Sequence, residues 1–128
     1  IMIKNSISGR LVFISSVSSI FGGELQTHYT ATKGALNQMM KSIAIAVGKH
    51  GITANAVLPG TVVTDINRFQ LEEENPELKE YFIKRTPIGR LAEPKDIANA
   101  ALFFASDEAA AVSGATLIID GGMSINMQ

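Results

Sequence analysis

Three short β-prone apolar runs, separated by stretches whose apolar residues recur every three or four positions, most limit what this chain can fold into. The first run, Leu11-Val12-Phe13-Ile14, is apolar at every position, which suits a strand buried on both faces of a parallel sheet. The second, Ile52 to Leu58, meets Pro59-Gly60, where proline withholds a ladder donor and glycine permits a turn. Thr116 to Ile119 is the third. Between the first two, Leu36, Met39, Met40, Ile43 and Val47 stripe one face of a helix from about His28 to His50, and Gly51 stands where it would stop. Glu93-Pro94 and Asp96 open another helix, with Ile97, Ala100, Ala101, Phe104 and Ala105 on its apolar side. This alternation predicts a three-layer α/β fold, a parallel sheet with helices on both faces joined by right-handed crossovers.

At 128 residues the chain allows one such domain at most. A hydrophobic fraction of 46% with 18% charged residues excludes disordered and coiled-coil classes. The formal charge of -1, from 11 basic and 12 acidic residues, leaves no basic stripe for nucleic acid or an anionic membrane. No run approaches the roughly eighteen apolar residues of a membrane span, and Ile1 to Ser8 is too short and polar for a signal peptide. Cysteine is absent and the only histidines, His28 and His50, are scattered, so neither a disulfide framework nor a metal cluster is expected. A reducing cytoplasm fits that composition. From Thr61 to Arg90 the chain is acidic, with Glu72, Glu73, Glu74, Glu77 and Glu80 around Pro76, which predicts one or two short exposed helices with a solvated face. Because Ile1 comes first and a strand follows by Leu11, a piece of something longer is expected.

Tyr29 and Lys33 are four residues apart near the start of the long helix, which puts them on one face about a turn apart. Ser15 and Ser16 end the first strand, where α/β sheets place their ligand-binding loops. A loop that folds back brings a serine hydroxyl, a phenol and an ammonium onto one oxygen. A phenol is a poor base at neutral pH, but a neighbouring ammonium favours the phenolate. A serine hydroxyl can hold the reacting oxygen as its charge changes.

Ile14-Ser15-Ser16, Tyr29 to Lys33, Asn55 to Gly60, Arg90 to Asp96 and Ile119 to Gly122 together resemble the short-chain dehydrogenase/reductase family, in the family's order and over nearly the whole chain. The resemblance implies a Rossmann-type parallel sheet, of which this chain is the C-terminal half, spanning residues 1–128. It assigns Ser16, Tyr29 and Lys33 as catalytic. It also implies NAD or NADP as cofactor, held by Tyr29, by Lys33 at the nicotinamide ribose, and by the loop Pro59, Gly60, Val62 and Thr64. Within the family, Gln26 to Thr30, Val57 to Thr61, Thr64 to Asn67 and the tail from Asp120 are similar to bacterial L-rhamnose 1-dehydrogenases, which implies a sugar or other polyol as substrate. Ser16, Ser18, Gln26, Tyr29, Thr61 and Asn67 are the candidate substrate contacts, since sugar hydroxyls are costly to bury unmatched. Ser18 can equally cap the turn that follows, and Asn67 a helix. A 3-oxoacyl carrier-protein reductase, another alcohol dehydrogenase of the family, or a non-catalytic remnant are the alternatives.

Family members also carry a glycine-rich loop after their first strand, at which a helix N-terminus meets the pyrophosphate. Gly22-Gly23 lacks that pattern, so the dinucleotide-binding half is expected to be missing here. The sheet edge from Leu11 to Ser15 is then expected to meet that half or another chain, and to be aggregation-prone when bare. The helix from His28, with Met39 and Met40, resembles the family's dimer-forming helix and implies a homotetramer.

Overall fold

Strand β2, Ile52–Pro59, forms the centre of the molecule, and every residue from Ile52 to Leu58 is buried. The computed structural model describes residues 1–127. Strands β1 (Gly9–Ile14) and β3 (Thr116–Ile119) lie on either side of β2. Both pairings are parallel, running from Gly9 opposite Ile52 to Ile14 opposite Val57, and from Ala56 opposite Thr116 to Pro59 opposite Ile119.

Because side chains alternate across a strand, β2 serves two cores. Ala54, Ala56 and Leu58 face helix α1, Thr27–Val47, and meet its Met40 and Ala44, with Leu11, Phe13 and Ile118 alongside. Val57 faces the other way, toward Ala100 and Phe104 of a helix labelled α3, Pro94–Ala105, with Val12 and Ile119 beside it. Completely buried side chains such as Met40 and Leu58 each contribute about 1.5–3 kcal/mol of hydrophobic stabilisation. The expected three-layer α/β architecture is therefore present.

The crossovers depart from the expectation in one respect. The chain steps from β1 to β2 to β3 in a single direction, yet α1 and α3 cover opposite faces. Two successive steps of that kind cannot share one hand. Only one of the two crossovers is right-handed, and the sequence pattern, which does not encode strand order, could not show this.

The acidic stretch forms a π-helical turn, Gln70–Glu74, followed by helix α2, Pro76–Arg85. Asn75 caps α2 by accepting a hydrogen bond from the Leu78 amide at 3.1 Å, and Pro76 occupies the first turn, where its missing N–H costs nothing. Only Leu71 is buried in the π turn. The long helix ends sooner than the periodicity predicts: α1 stops at Val47, a 3₁₀ turn spans Gly48–His50, and Gly51 takes φ 70°. At the start of α3, Glu93 and Asp96 form a capping box. Asp96 is also gripped by Arg90 through two hydrogen bonds of 2.7 and 3.1 Å. The Arg90 guanidinium and the Glu93 amide hold the Asp96 carboxyl down at about 2. Among the described residues, no helix is long and apolar enough to cross a membrane.

Candidate active site

Ser15 and Ser16 leave the C-terminal end of β1, and both are buried. The Ser15 amide extends the sheet by donating to the Val57 carbonyl at 2.8 Å. Its hydroxyl donates to the Lys33 carbonyl at 3.2 Å. Ser16 caps the 3₁₀ turn Val17–Ser19, its Oγ accepting from the Ser18 amide at 3.1 Å. The cap is thus Ser16 and not Ser18. A hydroxyl that accepts from an amide keeps its own proton to donate, which suits a group meant to hold a substrate oxygen.

A second tie runs through Ser19. Its hydroxyl donates to the Ser16 carbonyl at 2.5 Å and accepts from Asn37 Nδ2 at 2.7 Å. Asn37 is buried on α1, one turn beyond Lys33. Tyr29, Lys33 and Asn37 therefore stand at successive four-residue steps along one face of α1. Tyr29 lies in the first turn and is 38% exposed. The Lys33 ammonium sits 5.7 Å from the centroid of its ring. That ammonium is held by the Ile14 carbonyl at 3.0 Å, the last residue of β1. Three independent ties thus fix the serine turn against the helix that carries the tyrosine and lysine.

Ser16, Ser18, Gln26, Tyr29, Gly60 and Thr61 line one cleft of about 460 Å³, together with Val17, His28 and Met123. Ser18 Oγ donates to Gln26 Oε1 at 2.8 Å, so these two are already matched to each other. His28 and Met123 were not among the residues expected from sequence. His28 could have been suspected from its place next to Tyr29. Nothing local pointed to Met123, which arrives from beyond β3.

Gly60 is required where it stands. A Cβ there would lie 2.6 Å from Asp120 Cβ and 3.0 Å from Asp120 Cα. Asp120 is buried, and its carboxylate accepts from the amides of Gly122 at 2.8 Å and Ser124 at 2.7 Å. Burial pushes this carboxyl up, but the hydrogen bonds from Ser124 and Gly122 outweigh it and hold it below the ordinary range.

The loop after β2 is organised differently. Asn67 Oδ1 accepts from the Thr64 amide at 2.9 Å, and Asn67 Nδ2 donates to the Val62 carbonyl at 2.9 Å. Asn67 therefore closes the loop before it and does not cap the helical turn after it. It is also not part of the cleft lining. Val62 pairs with Ala92 in an isolated bridge. Val62 and Thr64 border a second, apolar hollow of about 390 Å³ with Ile14, Pro94 and Ile97. Pro59 ends β2 and lines neither of the two.

For a nicotinamide cofactor the donor set is suitable. Lys33 has three ammonium protons and commits one to Ile14, leaving donors for ribose hydroxyls. Among the described residues the Thr64 hydroxyl makes a long 3.5 Å contact to Asn67. The Lys33 ammonium reaches Ile14 at the end of β1, and Thr64 lies in the loop that follows β2, so both groups are near the C-terminal ends of parallel strands, where open α/β sheets bind their ligands.

A family model described as enoyl-(acyl carrier protein) reductase, one of the short-chain dehydrogenase/reductase group, matches residues 1–124. The chain belongs to the short-chain dehydrogenase/reductase family. It is 50% identical to an L-rhamnose 1-dehydrogenase (NAD(P)(+)) of a Sphingomonas species, over 99% of this chain and 49% of that protein. It is 52% identical to an L-rhamnose 1-dehydrogenase (NADP(+)) of Thermoplasma acidophilum, again over 99% of this chain and 49% of the relative. A crystal structure of a short-chain oxidoreductase from Burkholderia thailandensis superposes with a TM-score of 0.89 at 37% identity, covering 97% of this chain and 48% of that one. The chain spans about half the length of the relatives it matches.

Proposed function

We propose that these residues are the catalytic and substrate-binding half of an NAD(P)-dependent sugar dehydrogenase that oxidises the C1 hydroxyl of L-rhamnose or a close relative. One observation carries the reading: Ser16 and Tyr29 line a single cleft, with the Lys33 ammonium fixed 5.7 Å from the tyrosine ring. The roughly 50% identity to L-rhamnose 1-dehydrogenases supports the substrate class.

In this mechanism the Tyr29 phenolic oxygen takes the proton of the sugar hydroxyl. Lys33 sets a positive charge beside that ring, its ammonium 5.7 Å from the ring centroid. Ser16 donates a hydrogen bond to the substrate oxygen as it becomes a carbonyl. A bound nicotinamide supplies the hydride acceptor. Lys33 would hold its ribose, with Tyr29 alongside, and the Pro59, Gly60, Val62 and Thr64 loop its carboxamide end. Ser18, Gln26 and Thr61 face the remaining sugar hydroxyls, with Asn67 setting the loop beside them.

The adenosine and pyrophosphate would be held by a dinucleotide-binding segment outside these 128 residues. That segment would pair with the side of β1 away from β2, since among the described residues β1 is an edge strand, and its Ile14 is 47% exposed. The apolar surface of α1 around Leu36 and Met39 would form a subunit contact in a homotetramer. A cytoplasmic location agrees with the absence of cysteine.

Tyr29→Phe in the whole subunit tests the assignment. Turnover of L-rhamnose should fall by at least about 10²–10⁴-fold, the range for loss of a general base, while NADP binding measured by fluorescence stays within twofold. Retained turnover sinks the assignment.

A further inference from the structure

We propose that Met123 selects the apolar end of the sugar, accepting a methyl group at C6 and discriminating against a hydroxymethyl group there. The inference rests on the sugar dehydrogenase reading above and adds to it the residue that reads the deoxy position.

L-Rhamnose is a hexose whose terminal carbon is a methyl group amid otherwise hydroxylated carbons. A wall of hydrogen-bonding groups can recognise hydroxyls that are present, but it takes an apolar wall to penalise an extra one, which would be buried there without a partner. The cleft is lined by the polar side chains of Ser16, Ser18, Gln26, His28, Tyr29 and Thr61 and by just two larger apolar ones, Val17 and Met123. Val17 is the chain neighbour of Ser16, which holds the reacting oxygen, and so belongs to the C1 end. Met123 enters from a separate segment of the chain.

That segment is built to hold one residue in place. The Asp120 carboxylate accepts the amides on both sides of Met123, from Gly122 at 2.8 Å and Ser124 at 2.7 Å. The Met123 amide donates to the Asp120 carbonyl at 3.2 Å. The turn is backed by Pro87, which a side chain on Gly122 would meet at 3.1 Å, and Gly122 itself takes φ 87°. Asp120 in turn packs against Gly60, whose neighbour Thr61 lines the same cleft. The apolar wall is therefore fixed to the loop that carries the polar one. A thioether can adapt its three torsions to a methyl group while offering no hydrogen bond to a hydroxyl.

The experiment compares kcat/KM for L-rhamnose and for L-mannose, which differs from it by one hydroxyl at C6, in the whole NADP-loaded enzyme. A single group of this size in an apolar pocket is worth about 10–200-fold in discrimination. Wild type should favour L-rhamnose. Met123→Gln, similar in length but polar, should lower the rhamnose-to-mannose ratio at least about tenfold, whereas Met123→Leu should keep it within about threefold. If the glutamine variant fails to fold, Met123→Ala serves for the same ratio. A ratio unchanged in the glutamine or alanine variant, in an enzyme that oxidises L-rhamnose, overturns the assignment of Met123 alone. A wild-type enzyme that oxidises neither sugar overturns the sugar dehydrogenase reading, and the Met123 assignment with it.

Discussion

The loops that follow β1 and β2 leave the same end of the sheet and meet at the same cleft, but they are held in different ways. The β1 loop is tied to another element. Ser15 reaches the backbone of Lys33, Lys33 reaches Ile14, and Asn37 reaches Ser16 through Ser19. The β2 loop is tied mainly to itself, through Asn67 to Val62 and Thr64, with the bridge to Ala92 and exposed ion pairs such as Arg68 with Asp65 beyond. A group that must meet a proton in flight needs placement within a fraction of an ångström, and the first loop has it. Closure over a ligand suits the second, whose internal ties let it move as a unit.

Three substitutions sharpen that contrast. Asn37→Ala removes the donor to Ser19 and loosens the serine turn. The expected outcome is a roughly tenfold fall in kcat with KM for L-rhamnose within twofold, since a lost hydrogen bond in a buried network costs about 1–2 kcal/mol. Asn37→Ser should recover part of it, and a variant that changes only thermal stability would leave Asn37 without a positioning role. Asn67→Ala should act on binding instead, raising KM for both sugar and cofactor about fivefold at nearly constant kcat. If only the sugar KM moves, Asn67 is a direct sugar contact and the second loop is not closed by it. The smallest effect concerns the anchor beyond that loop. Asp96 should titrate near 2 by NMR and return toward the ordinary value of about 3.9 in Arg90→Ala. Because its folded value is depressed, the stabilisation is present above the unfolded value and disappears as pH falls through about 2. Exposure keeps its size small.

Periodicity made the skeleton readable. The run Leu11 to Ile14 lies within β1, Ile52 to Leu58 within β2, and Thr116 to Ile119 coincides with β3, but only β2 is buried along its length: β1, expected to be buried on both faces, is half-buried and ends exposed at Ile14, and β3 begins exposed. Glu93-Pro94 marked the start of α3 because capping chemistry is local. Four-residue spacing likewise placed Tyr29 and Lys33 on one face. What escaped notice depends on long-range geometry. The hand of each crossover depends on strand order, which hydrophobic pattern does not carry. Met123 reaches the cleft only because Asp120 bends the chain there, and Asn37 gains a partner only once Ser19 is folded beside it. Asn67 was legible as a polar residue near the site, but its two backbone partners, the Thr64 amide and the Val62 carbonyl, were not separable from a cap or a ligand contact.

The helix face shared by Tyr29, Lys33 and Asn37 sets where this sequence can change length. Each residue turns a helix by about 100°, so one insertion between Tyr29 and Asn37 would swing one member of the row away from the other two. Substitutions can be absorbed there, but gains or losses of single residues cannot. Between the loop closed by Asn67 and the cap at Asn75, the chain forms a short π-helical turn in which Leu71 alone is buried, so fewer positions there are held to a fixed phase. New specificities gained through length variation should therefore accumulate on the β2 side of the cleft, leaving the helix of the β1 side at constant length.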